Sequence, residues 1–371
     1  MKILLIGEYS NVHNTLAEGL RMLGHKVVVA SNGDFWKNYP RDIDFSRNPG
    51  FAGTFRFAAR LINALPHMRG YDVVQIINPM FLELKAEKIL PIYRYLRRNN
   101  GKIVMGAYGM DYYWVHENVT KMPLRYSDFN IGDHLRTDDD AMKERADWLD
   151  TPKGHLNQYI AHDCDAIVAG LYEYWACYQP LFPDKTVFIP FPIKQKSPKD
   201  KADCQVHLPL KIFIGISKQR SAYKGTDIML EAARKLKQKY PKKVTLSIAC
   251  GVPFQKYTQM MNDADVILDQ LYSYTPAMNG LEAMSRGIIC VGGGEPENYD
   301  ILGEERLRPI INTEPNEKSV YNALEQLISH PEMITALKEQ SILYIRKHHD
   351  YLQVARRYEN LYQELIENPK E

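Results

Sequence analysis

The sequence predicts an α/β protein with two Rossmann-like, doubly wound domains. Short apolar segments that end at glycine recur along the chain, the first at residues 3–7, and such segments are typical of buried parallel strands. Amphipathic helical segments separate them, and this alternation indicates doubly wound sheets. With 371 residues, the chain is also too long for one ordinary domain.

The first predicted domain, residues 1–192, opens with a βαβ unit. A strand at residues 2–6 ends at Gly7, an amphipathic helix follows, and a second strand spans residues 26–30. Ligands of open α/β sheets bind beyond the carboxyl ends of the strands, which makes Gly7 a candidate binding residue. The three-glycine fingerprint of dinucleotide-binding domains is absent, which disfavours an NAD-dependent oxidoreductase. Further strands are predicted at 73–77, 102–105, 166–169 and 187–189.

The second predicted domain spans residues 206–349. Residues 193–207 are polar, charged and interrupted by proline, so we interpret them as a linker at the domain boundary. A new α/β series follows, with strands predicted at 211–214, 244–248, 266–268 and 288–291. Two helices are predicted near the C-terminus, starting at Pro331 and after Asp350.

Two segments of the second domain carry residues suited to a negatively charged ligand. After its first strand, the cations Lys218, Arg220 and Lys224 precede an amphipathic helix. Another helix is predicted to start at Asn279-Gly280, with Asn279 as its N-cap. The N–H groups and the positive dipole end of such a start favour binding of a diphosphate.

This second helix has a carboxylate and an apolar face. Glu282 is placed to accept hydrogen bonds from a pair of sugar hydroxyls, whereas Leu281 and Met284 are expected to face a sheet. Without a ligand, Glu282 would only stabilise the helix dipole. The run Leu281-Glu282-Ala283-Met284, followed by Gly287 and an apolar strand, resembles a signature of the GT-B glycosyltransferases, especially the retaining family 4.

The resemblance extends to the cations upstream. Lys224-Gly225 matches the lysine–glycine step of the family's diphosphate-binding segment, and Arg220 lies four residues before the lysine, with Lys218 as the alternative cation. The resemblance implies that Lys224 and Arg220 bind the donor diphosphate, that backbone amides at the helix start bind the distal phosphate, and that the helix carboxylate binds the ribose. The implied donor-site residues are Lys218, Arg220, Lys224, Asn279, Gly280, Leu281 and Glu282.

The sequence departs from the family at two positions. Arg220 lies four residues before Lys224, whereas the family's arginine lies about five before its lysine. Family 4 carries a second glutamate eight positions before Glu282, where this chain has Tyr274. Retention of the anomeric configuration is implied by the resemblance alone. Residues 292–294, with Glu295 or Glu297, resemble a further family segment, and their glycines permit close approach of the backbone to a ligand.

The resemblance also implies how the two domains are used. In GT-B enzymes they face each other across a cleft, with the donor nucleotide in the C-terminal domain and the acceptor in the N-terminal domain. A terminal helix, here residues 350–371, returns to complete the first domain. The donor base commonly lies at the turn that corresponds to residues 251–253, but no residue of this sequence identifies the base.

On the acceptor side, Asp111 ends a glycine-containing turn after the strand at 102–105. The turn resembles one in family 4 whose aspartate lies near the acceptor hydroxyl, which implies a general base or an acceptor-orienting group. The alternative is a helix N-cap. Lone histidines such as His13 are weaker candidates, because they are usually structural. The catalytic candidates are Asp111, Lys224 and Glu282.

We expect no metal and no other cofactor. The three aspartates at residues 138–140 are better explained as a helix start with acids in its first turn than as a metal site. When the glycosidic bond breaks, fixed cations and a helix N-terminus stabilise the leaving nucleoside diphosphate, so the reaction needs no metal.

The composition indicates which classes of partner and which cellular compartment to expect. Lys and Arg number 47 against 45 Asp and Glu, and a net charge of +2 does not indicate nucleic-acid binding. Five separated cysteines without a C-x-x-C motif predict reduced thiols in a cytoplasmic protein. No apolar run approaches the roughly 18 residues of a membrane span. Two basic helical stretches, residues 56–69 and 85–102, are expected to form solvated faces, with contact to an anionic membrane surface as the alternative.

These features together predict a hexosyltransferase that moves a sugar from a nucleotide-diphosphate sugar to a saccharide or a lipid-linked acceptor. Surface polysaccharide assembly is the expected setting, in the cytoplasm or at the inner face of the membrane. Two alternatives remain open. A sugar-nucleotide epimerase of GT-B architecture would need no acceptor, and a non-catalytic partner of an assembly complex would not turn the donor over.

Overall fold

The computed structural model describes residues 1–195, 204, 206, 208–217 and 221–368. Most of the predicted linker at 193–207 therefore lies outside the described residues. The chain forms two compact units. The first unit comprises Met1–Glu117, Glu144–Pro192 and Tyr351–Glu371, and the second unit comprises Asn118–Lys143 and Ile193–Asp350.

Strands and helices alternate along most of the described residues. The strands are β1 (Lys2–Ile6), β2 (Lys26–Ser31), β3 (Ile43–Asp44), β4 (Val73–Ile76), β5 (Lys102–Ala107), β6 (Asn130–Ile131), β7 (His134–Leu135), β8 (Ala166–Ala169), β9 (Thr186–Phe188), β10 (Leu210–Ile216), β11 (Val244–Cys250), β12 (Val266–Leu268), β13 (Ile289–Gly292) and β14 (Ile311–Asn312). The α-helices are α1 (Val12–Met22), α2 (Phe51–Ala64), α3 (Ala86–Asn99), α4 (Tyr112–Thr120), α5 (Asp139–Trp148), α6 (Pro152–Asp163), α7 (Tyr172–Tyr178), α8 (Ser221–Lys224), α9 (Thr226–Lys239), α10 (Phe254–Asn262), α11 (Met278–Met284), α12 (Pro296–Leu302), α13 (Glu317–Ser329), α14 (Glu332–His348) and α15 (Tyr351–Glu367). Short 3₁₀ helices lie at Phe35–Lys37 and Leu65–Met68.

The first unit is built on a parallel sheet with the strand order β3-β2-β1-β4-β5-β8-β9. Ile3 of β1 pairs with Val27 on one side and Val73 on the other, and residues 3–6 have no exposed surface. An all-apolar sequence suits this position, because helices cover both faces of a central parallel strand. The chain changes direction across the sheet between β1 and β4, and such a switch point is where open α/β sheets bind ligands.

The terminal helix α15 belongs to the first unit and packs on α1. A Cβ added to Gly19 of α1 would lie 2.7 Å from the Cβ of Ala355, so the close approach of the two helices requires a glycine there. The Tyr362 hydroxyl donates a hydrogen bond to Oε1 of Gln75 at 2.6 Å. This helix therefore contributes to the core of a sheet whose strands lie near the start of the chain.

The second unit has a parallel sheet with the order β11-β10-β12-β13-β14. Ile212 of β10 pairs with Leu246 on one side and Val266 on the other. Leu236 of α9 and Leu324 of α13 pack into the same buried cluster as these strands. The switch point lies between β10 and β12, so the chain segments after these two strands form the expected binding edge.

The predicted fold class, two doubly wound Rossmann-like units, is confirmed. Each strand predicted for the two sheets overlaps an observed strand, and no predicted boundary differs from the observed one by more than two residues. Strands β3 and β14 and the antiparallel hairpin β6–β7 were not predicted, because each of these strands has two residues and shows no periodicity. No helix within the described ranges is long and apolar enough to cross a membrane.

Residues Asn118–Lys143, hereafter the bracing segment, group with the second unit, although the sequence places them in the first domain. The segment includes the hairpin β6–β7 and the start of α5. Asp138 precedes α5, and its Oδ1 accepts a hydrogen bond from the Ala141 N–H at 3.1 Å. The expected helix start at residues 138–140 is therefore confirmed.

Candidate functional site

The binding edge of the second unit is centred on a buried carboxylate, Asp269, which directly follows β12. Its Oδ2 accepts a hydrogen bond from the Ala277 N–H at 2.8 Å, and the Gly280 N–H also donates to this carboxylate. Burial raises the pKa of Asp269, while these two N–H groups and the positive charge of Lys224 oppose that rise. Asp269 therefore bonds to the start of α11 and interacts electrostatically with Lys224.

The start of α11 differs from the prediction. The helix begins at Met278, with Ala277 in the N-cap position, so Asn279 and Gly280 lie inside its first turn and Asn279 is not the cap. The reason is that a carboxylate from the preceding strand, that of Asp269, accepts from the N–H groups at this end. An acid of the chain itself thus occupies amides that the sequence assigned to the donor phosphate.

The glycine in α11 serves packing. A Cβ on Gly280 would lie 2.8 Å from Oδ2 of Asp269 and 3.0 Å from Sγ of Cys290, so the helix sits directly against β13. Leu281 and Met284 are fully buried, which confirms that this face of the helix faces the sheet.

Glu282 lies on the opposite face of α11 and is 37% exposed. Arg286, four residues later, donates a hydrogen bond to its Oε1. Arg286 also donates to Oδ1 of Asn262, which orients the guanidinium. The Glu282 carboxylate is thus held in place and open to a ligand, and its contact with a ribose stays a prediction.

Lys224 is the last residue of α8, at the same edge of the sheet. Its carbonyl accepts a hydrogen bond from the Leu271 N–H at 3.0 Å. Gly225 then turns the chain with φ at +70°, and a Cβ there would lie 2.8 Å from the Cβ of Leu271. Both conditions require glycine, so the Lys224-Gly225 step is dictated by the turn that leads into α9. Lys218 and Arg220 lie outside the described residues.

The bracing segment contacts α8 through a buried arginine, Arg136. Its guanidinium donates to the carbonyls of Ala222, at 2.9 Å, and Tyr223, at 3.2 Å. The same guanidinium stacks on the Tyr272 ring, 3.7 Å from its centroid. Asp138 accepts from its Nε at 3.0 Å. One side chain therefore joins α8 to the chain that follows β12.

Tyr274, at the position of the family's second glutamate, anchors the bracing segment. Its buried hydroxyl accepts a hydrogen bond from the Arg125 N–H at 2.6 Å, and burial raises its pKa to about 12. The Arg125 guanidinium lies 4.8 Å from the Tyr274 ring centroid and pairs with Glu295 at 2.7 Å and with Glu297. The Tyr126 hydroxyl also donates to Glu295. The two acids of the glycine-rich segment thus bind the bracing segment.

The glycines at residues 292–294 are required by the chain itself. A Cβ on Gly293 would lie 2.3 Å from the carbonyl oxygen of Ser273, and one on Gly292 would lie 2.8 Å from that of Gln270. Residues 270–275 therefore fill the space beside Gly292 and Gly293, and the approach of a ligand to this segment stays a prediction.

The first unit has a cavity of about 760 Å³ at the carboxyl ends of β1, β2 and β4. Gly7 lines it with φ at +84°, and a Cβ there would lie 2.2 Å from Cγ2 of Ile77, so no larger residue fits. Glu8 follows and accepts hydrogen bonds from the N–H groups of His13, at 3.3 Å, and Asn14, at 2.8 Å. Burial raises the pKa of Glu8 to about 8. A buried acid therefore caps α1 much as Asp269 caps α11.

Asp111 lies after β5 and is fully buried. Its Oδ1 accepts from the Trp114 N–H at 2.8 Å and its Oδ2 from the Tyr178 hydroxyl at 2.9 Å. Burial raises its pKa to about 7, against these hydrogen bonds. Asp111 is thus bound at the start of α4, and its role toward an acceptor stays a prediction. His13 is also buried, with Nδ1 2.9 Å from the carbonyl oxygen of Gly7 and a pKa lowered by burial to about 3.

The structure brings some predicted residues together and adds others. In the second unit, Asp269 bonds to Gly280 and experiences the charge of Lys224, and Glu282 lies further along the same helix as Gly280. Gly7 and Asp111 lie in the first unit. The residues that sequence reasoning missed are Glu8, Arg125, Arg136 and Asp269. Glu8 and Asp269 had a visible signal, since each is an acid just beyond a buried strand. The two arginines had none, because their partners lie far along the chain.

No protein-family model matches the sequence, and no curated protein sequence matches it. Solved structures do match it over nearly the whole chain. Sucrose-phosphate synthase from Thermosynechococcus elongatus is 14% identical with a TM-score of 0.61, covering 99% of each chain. Anabaena HepE in complex with UDP-glucose is 13% identical with a TM-score of 0.61, covering 98% of this chain and 100% of HepE.

A candidate UDP-N-acetylglucosamine 2-epimerase from Listeria monocytogenes also matches. It is 10% identical with a TM-score of 0.55, covering 100% of this chain and 97% of its own. At these identities the likeness establishes the fold, which is that of the GT-B glycosyltransferases.

Proposed function

We propose that this protein is a GT-B glycosyltransferase that transfers a sugar from a nucleotide-diphosphate sugar to a saccharide or lipid-linked acceptor. The observation that carries the proposal is that the charge of Lys224 acts on Asp269, which bonds to the start of α11, the helix that carries the accessible Glu282. A cation and an accessible carboxylate there suit a diphosphate and a sugar hydroxyl pair, respectively. The shared fold of HepE, solved with UDP-glucose, supports the same class of donor.

The donor-site roles follow from charge and placement. Lys224, together with Arg220 or Lys218, would neutralise the charge that develops on the leaving diphosphate. Glu282 would accept hydrogen bonds from the ribose. Because these fixed charges supply the stabilisation, the proposal includes neither a metal ion nor any other cofactor, and it keeps retention of configuration as the stereochemical expectation of family 4.

The proposal is tested by binding and turnover together. Thermal unfolding of the wild-type chain is measured with UDP, GDP, ADP and CMP in turn, and release of nucleotide from the matching sugar donor is then followed. Ligand at about 100 times its Kd adds about 2.7 kcal/mol of stability, which such a scan detects. We expect one nucleoside diphosphate to raise the melting temperature. A chain that binds none of them is not a transferase of this kind.

An epimerase is the second candidate, because an epimerase-like chain shares the fold. The bound donor is therefore incubated without any acceptor, and the sugar nucleotide is analysed afterwards. We expect the donor to be unchanged apart from slow hydrolysis. Conversion to an epimeric sugar nucleotide would replace the transferase proposal with the epimerase, whereas binding without any turnover would favour a non-catalytic role.

For the acceptor side we propose peripheral contact with an anionic membrane through α2, at the inner face of the membrane. Phe51, Phe55 and Ile62 of this helix are 90%, 71% and 65% exposed, while Phe57 and Leu61 face the core. Exposed aromatic residues beside basic ones are suited to the membrane interface. Such contact would bring the cavity of the first unit to a lipid-linked acceptor of surface polysaccharide assembly.

The membrane proposal predicts a sedimentation result. The wild-type chain should co-sediment with vesicles containing phosphatidylserine at low salt, and the double variant Phe51→Ser/Phe55→Ser should do so several-fold less. Leu343→Ser, which removes a 48% exposed apolar side chain of α14, is the matched control and should behave like wild type. Equal sedimentation of all three proteins would contradict a role for α2.

A further inference from the structure

The bracing segment is built into the edge that we assign to the donor. We propose that Arg136 is a positioning residue for the diphosphate site around Lys224. This inference rests on the proposed function, and it concerns a residue that carries no family motif. Arg136 belongs to the bracing segment, which lies between β5 and β8 in the sequence. The inference gives this segment a role in the affinity of the second unit for nucleotides.

The short helix α8 cannot hold its own geometry. It has four residues, Ser221–Lys224, and one helical turn is unstable without outside contacts. The carbonyls of its last turn have few helical partners. Arg136 donates to two of them, those of Ala222 and Tyr223. The position of Lys224 therefore depends on this contact.

Arg136 contacts both α8 and the chain after β12 that bonds to Lys224. The carbonyl of Lys224 accepts from the Leu271 N–H, and the next residue, Tyr272, lies under the Arg136 guanidinium. Asp138 accepts from Nε and fixes the plane of the guanidinium. With only 8% of its surface exposed, Arg136 has little room to reorient.

This contact requires an arginine. A planar guanidinium can donate two hydrogen bonds and stack on a ring at the same time, whereas a lysine ammonium on a flexible stem cannot do both. A second tie lies nearby, since the Tyr223 hydroxyl donates to Oδ2 of Asp128 at 2.6 Å. The bracing segment therefore contacts α8 both through backbone carbonyls and through the Tyr223 side chain.

The test measures nucleotide affinity in the full chain. The nucleoside diphosphate found by the scan above is titrated by calorimetry into wild type, Arg136→Lys, Lys224→Ala and the double variant. Because losing a charge-assisted hydrogen bond from a misplaced Lys224 would cost on the order of 10- to 100-fold in an equilibrium constant, we expect Arg136→Lys to raise the Kd by about that factor. Arg234→Ala, at an exposed position on α9, is the control and should not change the Kd.

The double variant separates positioning from general stability. If Arg136 acts through Lys224, then Arg136→Lys adds little once Lys224 is alanine, and the two effects are not additive. Additive effects, or an unchanged Kd in Arg136→Lys, would overturn the inference while the proposed function stands. If the wild-type chain binds no nucleotide, the proposed function fails first, and this inference fails with it.

A second variant covers the case in which Arg136→Lys does not fold. Tyr223→Phe removes only the hydroxyl that bonds to Asp128, so the ring stays in its buried site. We expect a smaller rise in Kd, of a few-fold, with the melting temperature of the ligand-free protein nearly unchanged. A drop in melting temperature with an unchanged Kd would assign the whole segment a structural role only.

Discussion

Replacing Lys224 with alanine is expected to lower kcat for sugar transfer by a few hundred-fold, about 3–4 kcal/mol of transition-state stabilisation. Lys224 lies at the binding edge of the second unit, where its charge acts on Asp269, and we propose that it binds the donor diphosphate there. Its contribution is largest in the transition state, since the diphosphate gains negative charge as it leaves. Initial rates at saturating donor and acceptor measure the effect.

The matched control for Lys224→Ala is Lys237→Ala. Lys237 is an exposed residue of α9, so its loss changes the net charge equally and should leave kcat within a factor of two or so. Lys224→Arg keeps the charge but changes its position, and we expect an intermediate rate. If Lys224→Ala and Lys237→Ala have the same kcat, Lys224 takes no part in the reaction.

Replacing Lys338 with methionine is expected to destabilise the second unit by about 3–5 kcal/mol, because it leaves an uncompensated buried charge. Lys338 of α14 pairs with Oδ1 of Asp265 at 2.7 Å, and the two side chains are only 3% and 6% exposed. Oδ2 of Asp265 accepts from the Lys211 N–H at 3.0 Å, so the pair fastens α14 to the sheet. Urea unfolding followed by circular dichroism measures the loss.

Two comparisons identify the cause of that loss. Lys235 and Glu317 form an exposed pair at 2.6 Å, and Lys235→Met should leave the urea midpoint nearly unchanged. The double variant Asp265→Asn/Lys338→Met, which carries neither charge, should recover much of the stability lost in Lys338→Met. A midpoint that stays as low in the double variant would show that packing, and not the unpaired carboxylate, causes the loss.

The sheets could be predicted from the sequence because their central strands are buried on both faces. Segments such as residues 3–6 and 266–268 are wholly apolar, which leaves no alternative to a buried strand. The amphipathic helices between these strands predicted that the sheets are doubly wound. Strands of two residues, such as β3, carry no such signal, since the neighbouring strand determines whether they form.

The candidate site was predicted in part. The Lys224-Gly225 step and the apolar face of α11 are local features, and local patterns revealed them. The start of α11 was misplaced because its N–H groups bond to Asp269, eight or more residues earlier in the chain. Propensity favours Asn279 as the cap, but a buried carboxylate from the preceding strand is the stronger acceptor.

The bracing segment could not have been predicted from local sequence. Arg125 is 149 residues from Tyr274 and 170 residues from Glu295, and no periodicity or motif reports contacts of such range. The sequence showed that Tyr274 replaces the family's glutamate. The structural role of Tyr274 became clear only from its contact with Arg125. A tyrosine replaces the expected glutamate at a point where the chain needs a buried anchor for a neighbouring segment.

The interleaving of the two units has a consequence for how the protein is made. The second unit needs Asn118–Lys143 and residues up to 350, and the first unit needs α15 from Tyr351 onward. Neither unit can therefore be finished before nearly all of the chain has left the ribosome, although domains generally fold one after another during synthesis. The arginines of the bracing segment can contact α8 and Tyr274 only after these have been synthesised, about 90 and 150 residues later.

A hybrid enzyme joined at residue 192 would separate these partners, whereas an exchange that carries residues 118–143 with the second unit would keep them together.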